Sequence, residues 1–540
     1  MSDTANSAEV APLTVSTIPE VIKRAQALFA DDEAFVEPDQ RLTYGQLIDQ
    51  IHIAGAAFIA SGIEPGDRVS IWAPNISEWA IAAFGLYLVG GVLVPLNTRY
   101  KGTEAGYVLD KASSKMLFTV TDFLSTDYVE LLNSVERQDR LEDIVVMRGA
   151  VPNGAVSWSD FLDRAGHVDT TQVTMRANAV TPDDVSDILF TSGTTGSPKG
   201  AMLVHGASVR AFWTWAELVG LTAEDRYLII NPFFHSFGLK AGLLASLLKG
   251  CAMVPQPIFD VPDVMARVAA ERISMIPGPP TIYQAMLNHP NLSEFDMTSL
   301  RLAVTGAASI PVELIYQMRE RLDFERIVTA YGLTEATGIA TVARSGDSPE
   351  TIARTSGRAI PGVEVKLVNQ DGSLAAAGEP GELWLRGYNV MAGYLDNPEA
   401  TEEAITQDGW LKTGDIAVMD DDGNVSITDR SKDMFIVGGF NAYPAEIENL
   451  LLRAPNVAQA AVIGVPDERL GEVPMAFVIP VAGKTATSDE IIDWARDNMA
   501  NFKVPRRVEI VDAFPLNPSG KVLKYVLRDR VASGGSDSQK

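Results

Sequence analysis

The sequence predicts an α/β protein in which a large N-terminal region of parallel sheets covered by helices carries a β-rich subdomain and precedes a small mobile α+β C-terminal domain. Three observations predict it. Short Val/Ile/Leu runs alternate with amphipathic helical stretches, as expected for parallel strands covered by helices. After about Ser356 the pattern changes to strands and turns, and beyond Asp433 comes a compact mixed unit. At 540 residues the chain is also too long for one ordinary core.

Residues 1–16 read as a flexible N-terminus. Residues 17–64 have helical period, interrupted by a short strand near 34–36. From Val69 an apolar run at 69–72 leads to a helix over 79–88 and a strand over 91–95. Similar short strands return at 116–119, 226–230, 252–255, 275–277, 301–305 and 326–329. Residues 17–429 thus form the expected N-terminal domain, with its β-rich subdomain at about 357–429. Turns at Asp371-Gly372 and Glu379-Pro380-Gly381 punctuate that subdomain. The charged stretch D-R-S-K-D marks a boundary, with a hinge at 430–433. Residues 434–532 then read helix, strand, strand, helix, strand, and 533–540 as a disordered tail.

Composition narrows the function classes. Apolar content of 46% with 21% charged residues belongs to a folded protein. A formal net charge of -26 argues against nonspecific binding to nucleic acid or anionic membrane, and requires any site for an anionic ligand to be made positive locally. A single cysteine, Cys251, excludes an intrachain disulfide and a cysteine zinc cluster, and reads as a buried small hydrophobe. Five histidines leave little material for a multi-histidine metal site. No basic start followed by an apolar core announces a signal peptide. The apolar segment 80–96 is divided by Gly90-Gly91 and Pro95 into a buried helix and a strand, short of a membrane span. A soluble cytoplasmic protein is therefore expected, with oligomeric state open.

Residues 190–200 read F-T-S-G-T-T-G-S-P-K-G. A Walker A loop fails here twice: Pro198 stands where glycine is needed, and Gly200 where a hydroxyl is needed. Two readings remain. One is a flexible glycine turn between two strands. The other is an anion-binding loop, with hydroxyls of Thr191, Ser192, Thr194 and Thr195 beside Lys199, and Gly193 and Gly196 freeing the backbone amides.

Four further segments accompany it. N-P-F-F-H-S-F-G, residues 231–238, places His235 among aromatics, for packing or for chemistry. T-A-Y-G-L-T-E, residues 329–335, ends a strand, where open α/β sheets bind ligands; Glu335 suits magnesium or is a first-turn carboxylate. D-G-W-L-K-T-G-D, residues 408–415, offers Asp415 to a ribose diol or to its own turn. N-P-S-G-K, residues 517–521, puts Lys521 on a short loop, as a functional or a surface ammonium.

Taken together these segments resemble the adenylate-forming superfamily of acyl-CoA synthetases, aryl-CoA ligases, luciferases and peptide-synthetase adenylation domains. The resemblance runs from about residue 20 to 530, with T-S-G-T-T-G-S-P-K-G, Y-G-L-T-E, T-G-D and P-S-G-K in family order. It implies that residues 191–199 cover the ATP β- and γ-phosphates. Glu335 with Thr191 would hold Mg2+, and Thr334 would lie near the α-phosphate beside Gly332. Gly306, Ala307 and Ala308 would line the adenine and acyl pockets, with Tyr331 stacked on adenine. Asp415 would bind the ribose, assisted by Arg430. His235 would wall the acyl pocket near the carboxylate. Lys521 would serve adenylation, Lys432 would be the hinge, and Gly438-Gly439-Phe440 would enter for the coenzyme A (CoA) step. The implied catalytic set is Lys521, His235, Thr191, Lys199 and Glu335.

The implied chemistry is coherent. A carboxylate is a poor electrophile, so attack on the ATP α-phosphorus first makes an acyl-adenylate and pyrophosphate, with lysine and magnesium neutralising developing charge. The CoA thiol then displaces AMP. Two steps around one carbon fit a small domain that rotates between them.

The segment F-F-H-S-F-G lacks the aspartate that amino-acid adenylation domains use for the substrate ammonium, and no carrier-domain serine motif follows Arg530. Both favour a free-standing CoA ligase. The runs N-P-F-F-H-S-F-G-L-K-A-G and I-P-G-P-P-T-I-Y-Q resemble a bacterial branch that includes activation of a bicyclic propanoate from steroid-ring degradation. Phe237, Ala241, Gly306 and Gly338 suit a bulky apolar acid, and Lys240 either meets a keto or carboxylate oxygen or points to solvent. Medium-chain fatty acids and aromatic acids are alternatives. A stand-alone adenylation enzyme, a luciferase-like oxygenase and a non-catalytic nucleotide-binding paralogue are the others, the last disfavoured by the presence of Lys521, Glu335 and Asp415.

Overall fold

The computed structural model describes residues 10–135, 141–191, 198–306, 310–369, 371–430, 433, 435–437, 440–442, 444–467, 470–499, 501–516 and 522–532. Of the expected site residues, Ser192, Gly193, Thr194, Thr195, Gly196, Ala307, Ala308, Lys432, Gly438, Gly439 and Lys521 lie outside the described residues.

The first helix, Ile18–Phe29, begins where Thr17 and Glu20 form a reciprocal capping box, with Pro19 in the first turn. Thr43 and Gln46 start the Tyr44–Ala60 helix in the same way. Between them run two short strands, Glu33–Val36 and Arg41–Thr43, where the sequence pattern shows one. The Ser77–Leu88 helix is buried at every residue except Glu78, so the apolar segment inside 80–96 is a core helix followed by the Val92–Pro95 strand. Gly85 allows that helix to lie on the preceding one: a Cβ there would sit 2.8 Å from the Ala54 Cβ.

Two large sheets share one hydrophobic core. The first has eight strands, in the order Gly393–Tyr394, Lys199–Val204, Val185–Thr191, Val92–Pro95, Arg68–Trp72, Met116–Val120, Asp143–Arg148 and Val156–Ser157. From Val185–Thr191 onward its pairings are parallel, and the two strands at the other edge are antiparallel. The second has nine strands, with parallel pairing from Glu33–Val36 through Ala252–Pro255, Arg226–Ile229, Met275–Pro277 and Leu302–Gly306 to Arg326–Tyr331. Antiparallel strands close both of its edges.

The β-rich subdomain is a four-stranded antiparallel sheet of Val363–Val368, Gly381–Gly387, Leu411–Met419 and Val425–Arg430. Its core residues Leu383, Leu385, Leu411 and Val425 cluster with Ala336 and Ala340, so this sheet packs on the turn that follows Arg326–Tyr331. From Phe435 onward a separate core, including Ile447, Val462, Phe477, Ile491 and Leu527, underlies a five-stranded sheet. Helices Pro444–Leu451, Ser488–Asn498 and Lys524–Ala532 belong to that unit.

Candidate active site

The loops that carry the motifs emerge at the C-terminal ends of parallel strands. They follow Val185–Thr191, Arg226–Ile229, Leu302–Gly306 and Arg326–Tyr331, which brings both large sheets to one site. The phosphate-loop motif joins two antiparallel strands, with Thr191 and Lys199 as Cα partners at its mouth. The reading as a turn between strands is thus correct about the strands, and both residues stand where such a loop begins and ends.

Glu335 lies in a short 3-10 turn, Thr334–Ala336. Its Oε1 accepts hydrogen bonds from the Thr191 hydroxyl at 3.1 Å and from the Tyr394 hydroxyl at 3.0 Å. Its Oε2 has no hydrogen-bond partner among the described residues. The turn is braced from outside: the Met391 N–H donates to the Glu335 carbonyl at 2.8 Å, and the Thr337 hydroxyl to the Asn389 carbonyl at 2.6 Å. The Lys199 ammonium lies 5.3 Å from the Tyr394 ring centroid. One carboxylate oxygen, one hydroxyl and a nearby ammonium therefore converge on the mouth of the loop.

This donor set suits Mg2+, which uses one or two carboxylates with phosphate and water oxygens rather than an all-protein cage. Among the described residues no group of three or more His, Cys, Asp or Glu side chains is placed to hold a metal.

Asp415 is buried, and its Oδ2 accepts the Tyr331 hydroxyl at 2.6 Å. Its own N–H donates to the Thr413 hydroxyl at 3.0 Å, and Arg430 is its Cα partner on the neighbouring strand. Gly306 is the Cα partner of Ala330, so it adjoins the Tyr331 strand end. Gly332 approaches closely the chain that returns: a Cβ there would sit 2.1 Å from the Gly338 carbonyl oxygen. Gly338 has φ +92, and a Cβ would meet Ser236 at 3.1 Å, so the 329–338 segment touches the histidine segment.

His235 is exposed, while the mass of protein around it holds its pKa below the ordinary imidazole value by desolvation. Its Nδ1 accepts the Phe237 N–H at 3.1 Å, which places the neutral ring's proton on Nε2. Phe237 is half-buried and opens a π-helical segment, Phe237–Leu244. Ala241 is wholly buried behind it.

Lys240 requires a correction. It does not point to solvent, nor does it offer charge to an acid's oxygen. Its side chain is 1% exposed and its ammonium is engaged by Asp187, which is 0% exposed. Here the apolar surroundings misled the reading of a lone lysine.

Sequence reasoning missed Tyr394 and Asp187. Tyr394 sits in a two-residue strand that pairs with Lys199–Val204, a contact no local pattern announces. Asp187, a charge inside a buried apolar strand, was the visible signal that went unread. A cavity of about 360 Å³ beside Gly66, Arg68, Gly90 and Arg176 opens at the N-terminal ends of the Arg68–Trp72 and Val92–Pro95 strands, away from the motif loops. Among the described residues no helix is long and apolar enough to cross a membrane.

Comparison with known proteins agrees with this geometry. Residues 22–395 match the family described as AMP-binding enzyme, and 446–521 match the AMP-binding enzyme C-terminal domain. A protein of Rhodococcus jostii (strain RHA1), named 3-[(3aS,4S,7aS)-7a-methyl-1,5-dioxo-octahydro-1H-inden-4-yl]propanoyl:CoA ligase, is 47% identical over 518 residues, covering 95% of this chain and 98% of its own. A protein of the same name from Mycobacterium tuberculosis (strain ATCC 25618 / H37Rv) is 46% identical over 514 residues, covering 95% of this chain and 98% of its own. The crystal structure of the anthranilate CoA ligase AuaEII with anthranoyl-AMP aligns with TM-score 0.86 at 28% identity, covering 97% of this chain and 99% of that one.

Proposed function

The chain belongs to the AMP-binding enzyme family, and from that premise we propose an AMP-forming acid:CoA ligase whose acid is a bulky, largely apolar alicyclic propanoate. The acid class rests on the relatives that are 47% and 46% identical and named for a bicyclic propanoyl group. The observation that carries the reaction is the convergence of Thr191, Glu335, Tyr394 and Lys199 at the mouth of the phosphate loop.

In the first step a carboxylate oxygen attacks the ATP α-phosphorus, and the bond to pyrophosphate breaks. Lys199 and the 191–199 loop hold the leaving phosphates, Asp415 holds the ribose, and Tyr331 orients Asp415 through its hydroxyl. Glu335 and Thr191 would hold Mg2+, which when bound supplies charge neutralisation on the phosphates. Lys521 joins the acid and α-phosphate oxygens. His235, whose Nδ1 accepts the Phe237 N–H, walls the acid pocket with Nε2–H as a donor, and Phe237, Gly306 and Gly338 form its apolar sides. In the second step the CoA sulfur attacks the acyl carbon and AMP leaves. Residues 434–532 act as the lid, turning about Lys432 at 430–433 so that Gly438-Gly439-Phe440 replaces Lys521; a core of its own suits a unit that moves as a body.

The test is pyrophosphate and AMP release from the purified protein with ATP and Mg2+ over a panel of acids, with and without CoA. Acid-dependent pyrophosphate release, with AMP and thioester only when CoA is added, supports the ligase, and the fastest acid names the substrate class. Preference for a medium-chain or aromatic acid over alicyclic propanoates overturns the proposed acid. An adenylate never passed to CoA overturns the second step.

A further inference from the structure

A buried ion pair that links the two large sheets is not used by the mechanism above. Asp187 lies in the Val185–Thr191 strand and Lys240 in the π-helical segment Phe237–Leu244, and both side chains are essentially inaccessible. Both carboxylate oxygens are engaged: Oδ1 accepts the Tyr87 hydroxyl, while Oδ2 accepts the Lys240 ammonium and the Ser186 hydroxyl. Tyr87, itself wholly buried, comes from the Ser77–Leu88 helix, so three elements meet at one carboxylate.

Such a pair is a poor way to gain stability, because desolvating two charges offsets most of their attraction, and apolar residues of similar size often do better. Buried ion pairs are best attested as devices that specify register. Register is unusual here. A π-helical turn has poor hydrogen-bond geometry and occurs mostly as short insertions at functional sites. On one side the segment is pressed against its own sheet and the loop that leads from it, since a Cβ on Gly242 would sit 2.9 Å from Ile229 and one on Gly238 2.1 Å from the Pro232 carbonyl oxygen. On the other side the ion pair ties it to the strand of the other sheet that ends at Thr191.

We propose that Lys240, held by Asp187 and Tyr87, is a positioning residue that keeps residues 237–244 in π register and so sets the width of the acid pocket at Phe237. The inference rests on the ligase reading for the word acid, and deepens it by naming what determines the pocket's size.

The test uses the neutral double variant Asp187→Asn with Lys240→Met, which leaves no charge uncompensated. Two measurements are made: amide hydrogen exchange over 237–244, and KM and kcat for acids of graded bulk beside KM for ATP. The expected result is exchange at least about tenfold faster in that segment. Acid KM should rise about tenfold and the preference for bulk flatten, with KM for ATP within about twofold. Should the double variant fail to fold, Tyr87→Phe keeps both charges and removes one bond, and a smaller change in the same direction is expected. Unchanged exchange overturns the inference, and so does faster exchange with unaltered acid KM. If the wild-type protein turns over no acid, the ligase reading fails, and exchange alone decides whether the pair holds the register.

Discussion

The hydroxyls of Tyr394 and Thr191 share one oxygen of Glu335, Tyr394 at 3.0 Å and Thr191 at 3.1 Å. Two neutral donors fix that carboxylate without neutralising it. Burial, and then the neighbouring Glu335, push the Tyr394 phenol upward, so it remains a donor throughout the physiological range. Tyr394→Phe removes one donor and little volume. The half-saturating Mg2+ concentration for pyrophosphate release is expected to rise about threefold or more, with melting temperature nearly unchanged. An unaltered Mg2+ dependence would show that Tyr394 does not orient Glu335 for the metal.

Asp415 is buried and takes the Tyr331 hydroxyl at 2.6 Å. A hydrogen bond to a charged acceptor is worth about 1.5–3 kcal/mol, so Tyr331→Phe should weaken ATP binding roughly tenfold, and Asp415→Asn at least as much. Calorimetric titration with a nonhydrolysable ATP analogue measures both. Equal affinity for ATP and its 2′,3′-dideoxy analogue in the wild type would remove the ribose from Asp415.

His205 is buried, and its Nδ1 accepts the Ile18 N–H at 3.4 Å. Desolvation, with the Lys240 charge adding to it against Asp187 and Asp184, lowers its pKa to about 4. The unfolded chain therefore binds this proton first as pH falls. The stability is fully present above the unfolded pKa of about 6.5 and is lost progressively down to about pH 4, by roughly 3 kcal/mol in all. Denaturant melts at pH 7.5 and 4.5 should show the loss. His205→Gln, which keeps an acceptor, should lose that share of the pH dependence. An identical slope in the variant would assign the acid sensitivity elsewhere.

Cys251 is wholly buried, and burial pushes its thiol up to about 12. The native protein should resist thiol reagents at neutral pH and react with one equivalent after denaturation. Rapid native labelling would contradict the closed core around the Ala252–Pro255 strand.

Much of the fold was legible because its signals are local. Apolar runs at 69–72, 116–119 and 275–277 are strands within a residue of where the pattern puts them, since a parallel strand covered on both faces reads as a near-continuous apolar run. The helix expected over 444–452 runs over 444–451, and the strand expected over 457–464 continues to 467. The strands Asp143–Arg148 and Lys199–Val204 were not legible in this way. In the second, the run opens on the motif's own lysine and glycine, with Gly200 and Ala201 both buried, so loop chemistry masked strand period. The same limit applied to side chains. Glu335 and Asp415 stood out through their motifs, whereas Tyr394 had none and Lys240 had a plausible but wrong destination.

By itself, then, the sequence determined the fold class, much of the order of elements and which loops carry the motifs, because periodicity and motif spacing are properties of neighbouring residues. Only the tertiary structure decided what each charged side chain meets. Tyr394 reaches Glu335 across 59 residues, Tyr331 reaches Asp415 across 84, and Lys240 reaches Asp187 across 53. An apolar pattern states which face of an element is buried. It carries no information on which distant element will lie against that face, and the packing of the sheets and their loops on one another sets those contacts.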